Sequence, residues 1–348
     1  MSIVIISGSG GLVGSESVKF FSKKFSKVIG IDNDMRSYFF GKSASVEKNI
    51  SNLKKQFKNY SHYDLDIGNF AKVKTIFKKF NNKISFVIHC AAQPSHDWAA
   101  NEPLVDFSTN TIGTLNILEN IRLNCPNAKL AHLSTNKVYG DWPNTLPLKE
   151  KKKRYELRKS NKFYNNGINE SMNIDDCKHS LFGASKLSAD VYCQEYLKYF
   201  NLKIGIFRAG CLTGPLHQGA ELHGFLNYLI KTAKEKKVYK IFGYKGKQVR
   251  DNLHSEDVVS ALWEFYKTKN NCGVYNFGGG RKNSCSILEV VDILKKKYDI
   301  KLKYKIIKTN RSGDHIWYIS DISKFKKKHK KWKINKSLDQ IIDEMVNY

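Results

Sequence analysis

The feature that most constrains the fold is a repeated alternation of short apolar runs with amphipathic helical segments. Ser2–Ser7 is apolar and β-rich almost throughout, the pattern of a strand covered on both faces. A glycine-rich turn and helix-like sequence to Lys24 follow. Further strand-like runs cover Lys27–Ile31, Tyr60–Asp64, Ile84–His89, Lys129–Ser134, Leu202–Phe207 and Val274–Phe277. Helical periodicity fills Val46–Phe57, Phe70–Phe80, Pro103–Asn124, Ser180–Phe200 and Ser255–Tyr266. Strands that need cover on both faces, joined by helical crossovers, predict an α/β fold built on a doubly wound parallel sheet.

After Arg208 the character changes. Gly210–Pro215 reads as a loop, Gly219–Lys234 and Ile287–Lys297 as helices, Lys303–Ile307 as a strand and Ser337–Val346 as a capping helix. The expected division is a first domain of residues 1–207 plus about 251–277, and a smaller α/β C-terminal lobe of about 208–250 plus 278–348. Between Asp141 and His179 lies a polar, lysine-rich insertion of poor periodicity. It reads either as a flap over a site or as a plain surface insertion.

The formal net charge of +27 admits two readings, a nucleic-acid surface or lysine used as a solvated surface residue. The excess lies in separate runs such as Lys149–Arg154 and Lys324–Lys333, and no RRM, zinc-finger or helix-turn-helix signature accompanies it. No nucleic-acid partner is therefore expected, although a basic surface favours an anionic substrate by steering. No apolar run approaches the roughly 20 residues of a membrane span, so no membrane association is expected. Seven cysteines are scattered without a CxxC pair or a Cys/His cluster. They read as reduced thiols of a cytoplasmic protein with no metal site.

Three stretches carry chemistry. Gly8, Gly11 and Gly14, with Leu12 and Val13 between them, form a GxxGxxG turn from the first strand into a helix. Such a turn lets backbone N–H groups approach a pyrophosphate at a helix N-terminus. Asp32 ends the second strand, where a carboxylate accepts hydrogen bonds from an adenosine ribose diol and repels a 2′-phosphate. That favours NAD over NADP, with Arg36 nearby as the opposing signal. Asp66 and Ile67 join this cofactor set, as do Ala91 and Ala92, small residues at a strand's carboxyl end that let a cofactor lie against the backbone. The third stretch is Phe182–Lys186, at the start of the long Ser180–Phe200 segment. As a helix it stacks positions 182 and 186 on one face. A tyrosine paired with such a lysine would be an acid/base device, because the ammonium lowers the phenol's pKa. Here the tyrosine position holds phenylalanine.

The glycine loop and the run Ser134-Thr135-Asn136-Lys137-Val138-Tyr139-Gly140 resemble the extended short-chain dehydrogenase/reductase family, the nucleotide-sugar epimerases and dehydratases. The resemblance covers nearly the whole chain and implies a Rossmann fold. It matches Thr135 to a Ser or Thr that hydrogen-bonds the reacting sugar hydroxyl, and it matches Phe182 and Lys186 to the Tyr and Lys of the YxxxK motif. It places Arg250 on the nucleotide diphosphate, and Arg311 and Asp314 on the nucleotide's phosphate and ribose. Gln93, Asn136 and Arg208 complete the expected substrate set. The long helix commonly joins a dimeric four-helix interface in this family, so a homodimer is expected.

Dehydratases of the family carry an Asp-Glu pair directly after the Thr, where this chain has Asn136-Lys137. A lysine cannot serve as that anionic base, so elimination is not expected. The runs Ser134–Asp141 and Lys247–Asp251, with His179, Gly183 and Ser185-Lys186, look like the CDP-paratose 2-epimerases. Those enzymes hold NAD tightly, oxidise C2 of the sugar and return the hydride to the other face. Phe182 leaves the proton acceptor open among Lys186, His179, a relay through Thr135, and Tyr164 if the insertion folds over the site. Two other functions stay open: a nucleotide-sugar dehydrogenase or reductase with a rebuilt site, and a non-catalytic NAD or nucleotide-sugar binding protein.

Overall fold

The computed structural model describes residues 2–217, 224–311 and 313–348. Its centre is a seven-stranded sheet of β1 (Ile3–Ser7), β2 (Lys27–Ile31), β3 (Tyr60–Tyr63), β4 (Ile84–His89), β5 (Lys129–Thr135), β6 (Lys203–Ala209) and β7 (Gly273–Phe277). Every pairing in it is parallel. The spatial order is β7-β6-β5-β4-β1-β2-β3, so the winding reverses between β1 and β4. The alternation of β and α along the chain thus produces the expected doubly wound sheet.

Strand periodicity explains how one sheet feeds two cores. Successive side chains of a strand point to opposite faces. Val4 and Ile6 of β1 pack on one side with Val28, Phe86, Ile88 and Phe207. Ile3 and Ile5 pack on the other with Ile29, Ile31, Val87 and Ile204. Helices α1 (Leu12–Phe21) and α4 (Ser255–Lys267) cover the first face. On the second lies α2 (Gly113–Asn124), and α3 (Ser180–Tyr199) reaches the same face through Cys193.

Two short helices, Met35–Phe40 and His96–Asn101, occupy stretches that gave no periodic signal. The segment expected as one helix over 103–124 is interrupted by a π turn at Ser108–Ile112. The wide turn lets adjacent residues both reach α3. Asn110 Nδ2 donates to Ser185 Oγ at 3.0 Å, and Thr111 Oγ1 donates to the Ser185 carbonyl at 3.0 Å.

Beyond β6 the chain builds smaller sheets. Cys211–Thr213, Val249–His254, Ser284–Ser286 and Trp317–Tyr318 form one, and Val238–Phe242 pairs in parallel with Lys303–Ile307. A third core of Leu229, Ile230, Ile241, Val290, Leu294 and Ile341 lies among their helices. The helix expected over 219–234 is described from Phe225 to Lys234, and its first residues lie outside the described set.

The 141–179 insertion is not a flap. It forms a hairpin, Leu148–Glu150 with Tyr155–Leu157, and docks elsewhere. Leu157, Phe163 and Ile168 are buried against Trp317, Tyr318 and Ile319. The Ile168 N–H donates to the Ile319 carbonyl at 2.7 Å. Its apolar residues are too widely spaced to give a period, yet together they make a core.

Candidate active site

A cavity of about 480 Å³ opens at the carboxyl ends of β1, β4 and β5, where the sheet order reverses. This is where doubly wound sheets bind ligands. The turn after β1 forms one wall. Gly8 has φ +73°, and a Cβ there would lie 2.7 Å from the Ala91 nitrogen. A Cβ on Gly14 would lie 1.9 Å from the Gly8 carbonyl oxygen. The turn therefore closes tightly only with glycine at both positions, and it delivers the first N–H groups of α1 to the cavity.

Asp32 lines the same wall. Its Oδ2 accepts from the Gly10 N–H at 2.8 Å and its Oδ1 from the Asp34 N–H at 2.9 Å. Each oxygen keeps lone-pair capacity for a diol. Burial raises the Asp32 carboxyl above its ordinary value, while the two backbone donors act against the rise. Leu12, Val13, Asp66, Ile67, Ala91 and Ala92 also line the cavity. The geometry brings the whole expected cofactor set together and fits a dinucleotide with an unmodified adenosine ribose. Arg36 lines the wall near Asp32, its guanidinium 5.0 Å from the centre of the Phe40 ring.

At the inner end β5 and α3 meet. Thr135, Asn136, Lys137, Phe182 and Lys186 line the cavity there. Lys186 Nζ donates to the Leu133 carbonyl at 2.9 Å. Burial pushes its ammonium down to about 8, with Asp190 and Asp106 among the groups opposing the shift. Lys137 Nζ donates to the Gly313 carbonyl at 2.9 Å. Burial pushes it to about 8 as well, with Arg250 and Arg311 lowering it further and Asp314 opposing. Phe182 is buried and turns its ring toward His96, centroids 5.0 Å apart at 77°. His96 sits on one of the two unforeseen helices and also lines the cavity. The position could have been suspected from a histidine closely following the small residues at the end of β4.

The far wall is cationic. Arg250, Arg311 and Asp314 all line it. Arg250 pairs with Asp314, and Arg311 with Asp97 at 2.9 Å. Burial works to raise the Asp314 carboxyl, but Arg250, Lys137 and Arg311 outweigh it and hold the group below the ordinary carboxylate range.

Three expected site residues do not reach the cavity. The Gln93 side chain is spent on its own surroundings: Nε2 donates to Asp106 at 2.7 Å, and Oε1 accepts from the Ser95 N–H at 2.5 Å. Arg208 is buried in a bidentate pair with Asp190, at 2.9 and 3.0 Å, and donates to the Tyr139 hydroxyl. His179 turns away, its Nε2 bonded to the Val138 carbonyl at 3.0 Å. Gln93 and Arg208 stand next to residues that do face the cavity, and side-chain direction is not legible from spacing alone. Tyr164, considered as an acceptor, lies under Arg281 with the docked insertion. Lys137, set aside on charge grounds, proves to be part of the wall.

Comparison with known proteins agrees with this geometry. Residues 4–278 match the model of the NAD dependent epimerase/dehydratase family. Over 335 residues the chain is 31% identical to CDP-paratose 2-epimerase of Salmonella typhi, covering 92% of this chain and 91% of that one. It is 27% identical to UDP-glucuronate 4-epimerase of Thermodesulfobacterium geofontis over 100% of this chain and 96% of that one. A crystal structure of a Bacillus cereus UDP-glucuronic acid 4-epimerase variant, solved with a fluorinated UDP-sugar and NAD, superposes with a TM-score of 0.80. That pair is 24% identical and covers 99% of this chain and 98% of the other. With the family model spanning most of the chain and the dinucleotide cradle in place, the protein belongs to the NAD-dependent epimerase/dehydratase family, and its cofactor is NAD.

Proposed function

We propose that this chain is a nucleotide-sugar epimerase that accepts a CDP-linked sugar, oxidises it transiently at C2 and re-reduces it on the opposite face. The observation that carries the reading is a single cavity that joins the dinucleotide cradle to the cationic wall, with Thr135 and Lys186 at the junction. Bound NAD supplies a reversible hydride acceptor. The protein's residues hold and orient. The α1 N–H groups and Asp32 seat the cofactor's diphosphate and ribose. Arg250 and Arg311 suit a nucleotide diphosphate because a planar guanidinium binds phosphate oxygens in pairs. Thr135 Oγ1 offers a hydrogen bond to the sugar hydroxyl. In this reading residues 1–207 plus about 251–277 carry NAD, and about 208–250 plus 278–348 carry the nucleotide sugar.

The preference for CDP and for C2 rests on the likeness to CDP-paratose 2-epimerase. Epimerisation is favoured over elimination by Lys137. An ammonium facing the sugar cannot remove a carbon-bound proton until it loses its own, and Gly313 holds it as a donor. A homodimer through α3 is part of the proposal, since Val191, Tyr192 and Tyr199 are exposed on that helix.

Mass spectrometry of small molecules released from denatured protein tests the reading. Stoichiometric NAD is expected, with CDP raising the melting temperature more than UDP. Bound NADP, or stabilisation by UDP alone, would contradict it.

A further inference from the structure

The reaction needs a group to take the sugar hydroxyl's proton, and residue 182 has no hydroxyl to do it. We propose that His96 is that group, accepting the proton at Nε2 during oxidation and returning it during re-reduction. This rests on the epimerase reading, though not on which carbon reacts.

Position comes first. The His96 ring stands against Phe182, and the two face one cavity with Thr135, Lys137 and Lys186. The imidazole is the titratable side chain in ring contact with the residue that replaces the tyrosine. Its other nitrogen is anchored: Nδ1 lies 2.7 Å from Ser180 Oγ, which also accepts from the Gly183 N–H at 3.2 Å. Ser180 opens α3 with φ +60°, a left-handed conformation uncommon for serine. Its hydroxyl has lone pairs for two donors, so a tautomer with Nδ1–H donating to Ser180 is accommodated. Nε2 then carries the lone pair. Among the described residues no hydrogen bond engages Nε2. A base with its second nitrogen held by a hydroxyl has the orientation that general base catalysis requires.

The competing groups are committed. Lys186 Nζ is bonded to Leu133 and Lys137 Nζ to Gly313. His179 faces Val138, outside the cavity.

Electrostatics keeps the ring neutral and, before substrate binds, weakly basic. Burial pushes His96 down to about 3, helped by Lys137, Arg311 and Arg250, with Asp314 opposing. The ring is therefore neutral and able to accept. A diphosphate seated on Arg250 and Arg311 offsets two of the charges that weaken it, so basicity rises when substrate binds. An imidazolium formed here gives its proton back readily, which the second half of the cycle demands.

The balance is simple. The hydroxyl O–H bond breaks and an Nε2–H bond forms, while the carbon's hydrogen leaves with its electron pair for NAD and a ketone results. Return of the hydride to the other face is matched by return of the proton from Nε2 to oxygen, so the protein ends unchanged.

The test compares wild type with His96→Gln and His96→Asn, all loaded with NAD. The expected result is a loss of about 10²–10⁴-fold in interconversion of CDP-paratose and its C2 epimer. CDP and NAD affinities should stay within about threefold, and melting temperatures should show both variants folded. Activity within about threefold of wild type in either folded variant overturns the proposal. A second readout does not need turnover. In wild-type protein with ¹⁵N-labelled histidine rings, the His96 Nε2 signal should move further when CDP-paratose binds than when CDP alone binds, because CDP brings the diphosphate but not the sugar hydroxyl. A signal indifferent to the sugar overturns the proposal. Wild type that binds CDP-paratose without interconverting it contradicts the epimerase reading instead, and the ¹⁵N signal still decides the role of His96.

Discussion

At the scale of single residues, the site is defined by a substitution and its surroundings. Phe182 occupies the expected helical position, one turn before Lys186, but its neighbour is an imidazole anchored by Ser180. With His96 as the proposed proton acceptor, a phenol is redundant. Phe182→Tyr is therefore expected to leave the epimerisation rate within about threefold of wild type, or to lower it, because the new hydroxyl needs space beside the His96 ring. A gain of about 100-fold, measured by sugar-isomer NMR, would mean that the site is a decayed tyrosine site. The same scale shows what the sequence could convey. Asp32, Thr135, Lys186, Arg250 and Asp314 were legible because each stands at a strand end or on a motif whose direction the fold fixes. Gln93, Arg208 and His179 were not, since Gln93 and Arg208 turn to buried carboxylates and His179 to a backbone carbonyl, directions that spacing along the chain does not reveal.

At the scale of elements, the turn from β1 into α1 and the start of α3 are the two devices that position chemistry. The first depends on close backbone approach. Gly14→Ala would drive a methyl group into the Gly8 carbonyl, 1.9 Å from its oxygen, and backbone cannot yield as a flexible side chain can. The expected result is loss of NAD binding by at least tenfold in calorimetry, together with a melting temperature several degrees lower. Unchanged NAD affinity would show that the turn does not hold the cofactor. Strand positions were read nearly to the residue because two-face burial leaves a dense apolar run, as in Ile84–His89. The helix at His96–Asn101 and the π turn at Ser108–Ile112 gave no such signal. Their geometry answers to partners on α3, not to local periodicity. The insertion failed as a flap for a similar reason: Phe163 and Ile168 bury themselves against residues 317–319, which no window of local sequence contains.

At the scale of the whole molecule, several buried histidines couple stability to acid. His89 and His96 are pushed to about 3 and His329 to about 4, while His132 and His315 lie well below the ordinary value, in each case through burial first. These groups fold neutral. Below about pH 6.5 the unfolded chain takes up protons that the folded chain refuses, so their stabilising contribution is complete above pH 6.5 and falls as pH drops toward 4. Asp251, raised by burial to about 6, acts in the opposite direction, as do Asp32, Asp106 and Glu16, which burial also raises, but the lowered histidines, His62 and His217 among them, outnumber these carboxyl groups. The urea midpoint should therefore fall steeply between pH 6.5 and pH 5, at up to about 1.4 kcal/mol per pH unit for each fully coupled group. A midpoint that is flat or rises over that interval would show that these histidines are protonated in the native state.

The molecule's central property is that cofactor cradle, cationic wall, Thr135 and Lys186 share one cavity, and in the proposed reaction a hydride removed from the sugar is kept there and returned. The most direct measurement is incubation of the purified protein with CDP-paratose in D₂O, without added cofactor, followed by NMR. The account predicts inversion at C2 with the C2 hydrogen retained as protium and no lasting change in nicotinamide absorbance. Deuterium at C2 of the product, or conversion that requires added NAD and accumulates NADH, would contradict it.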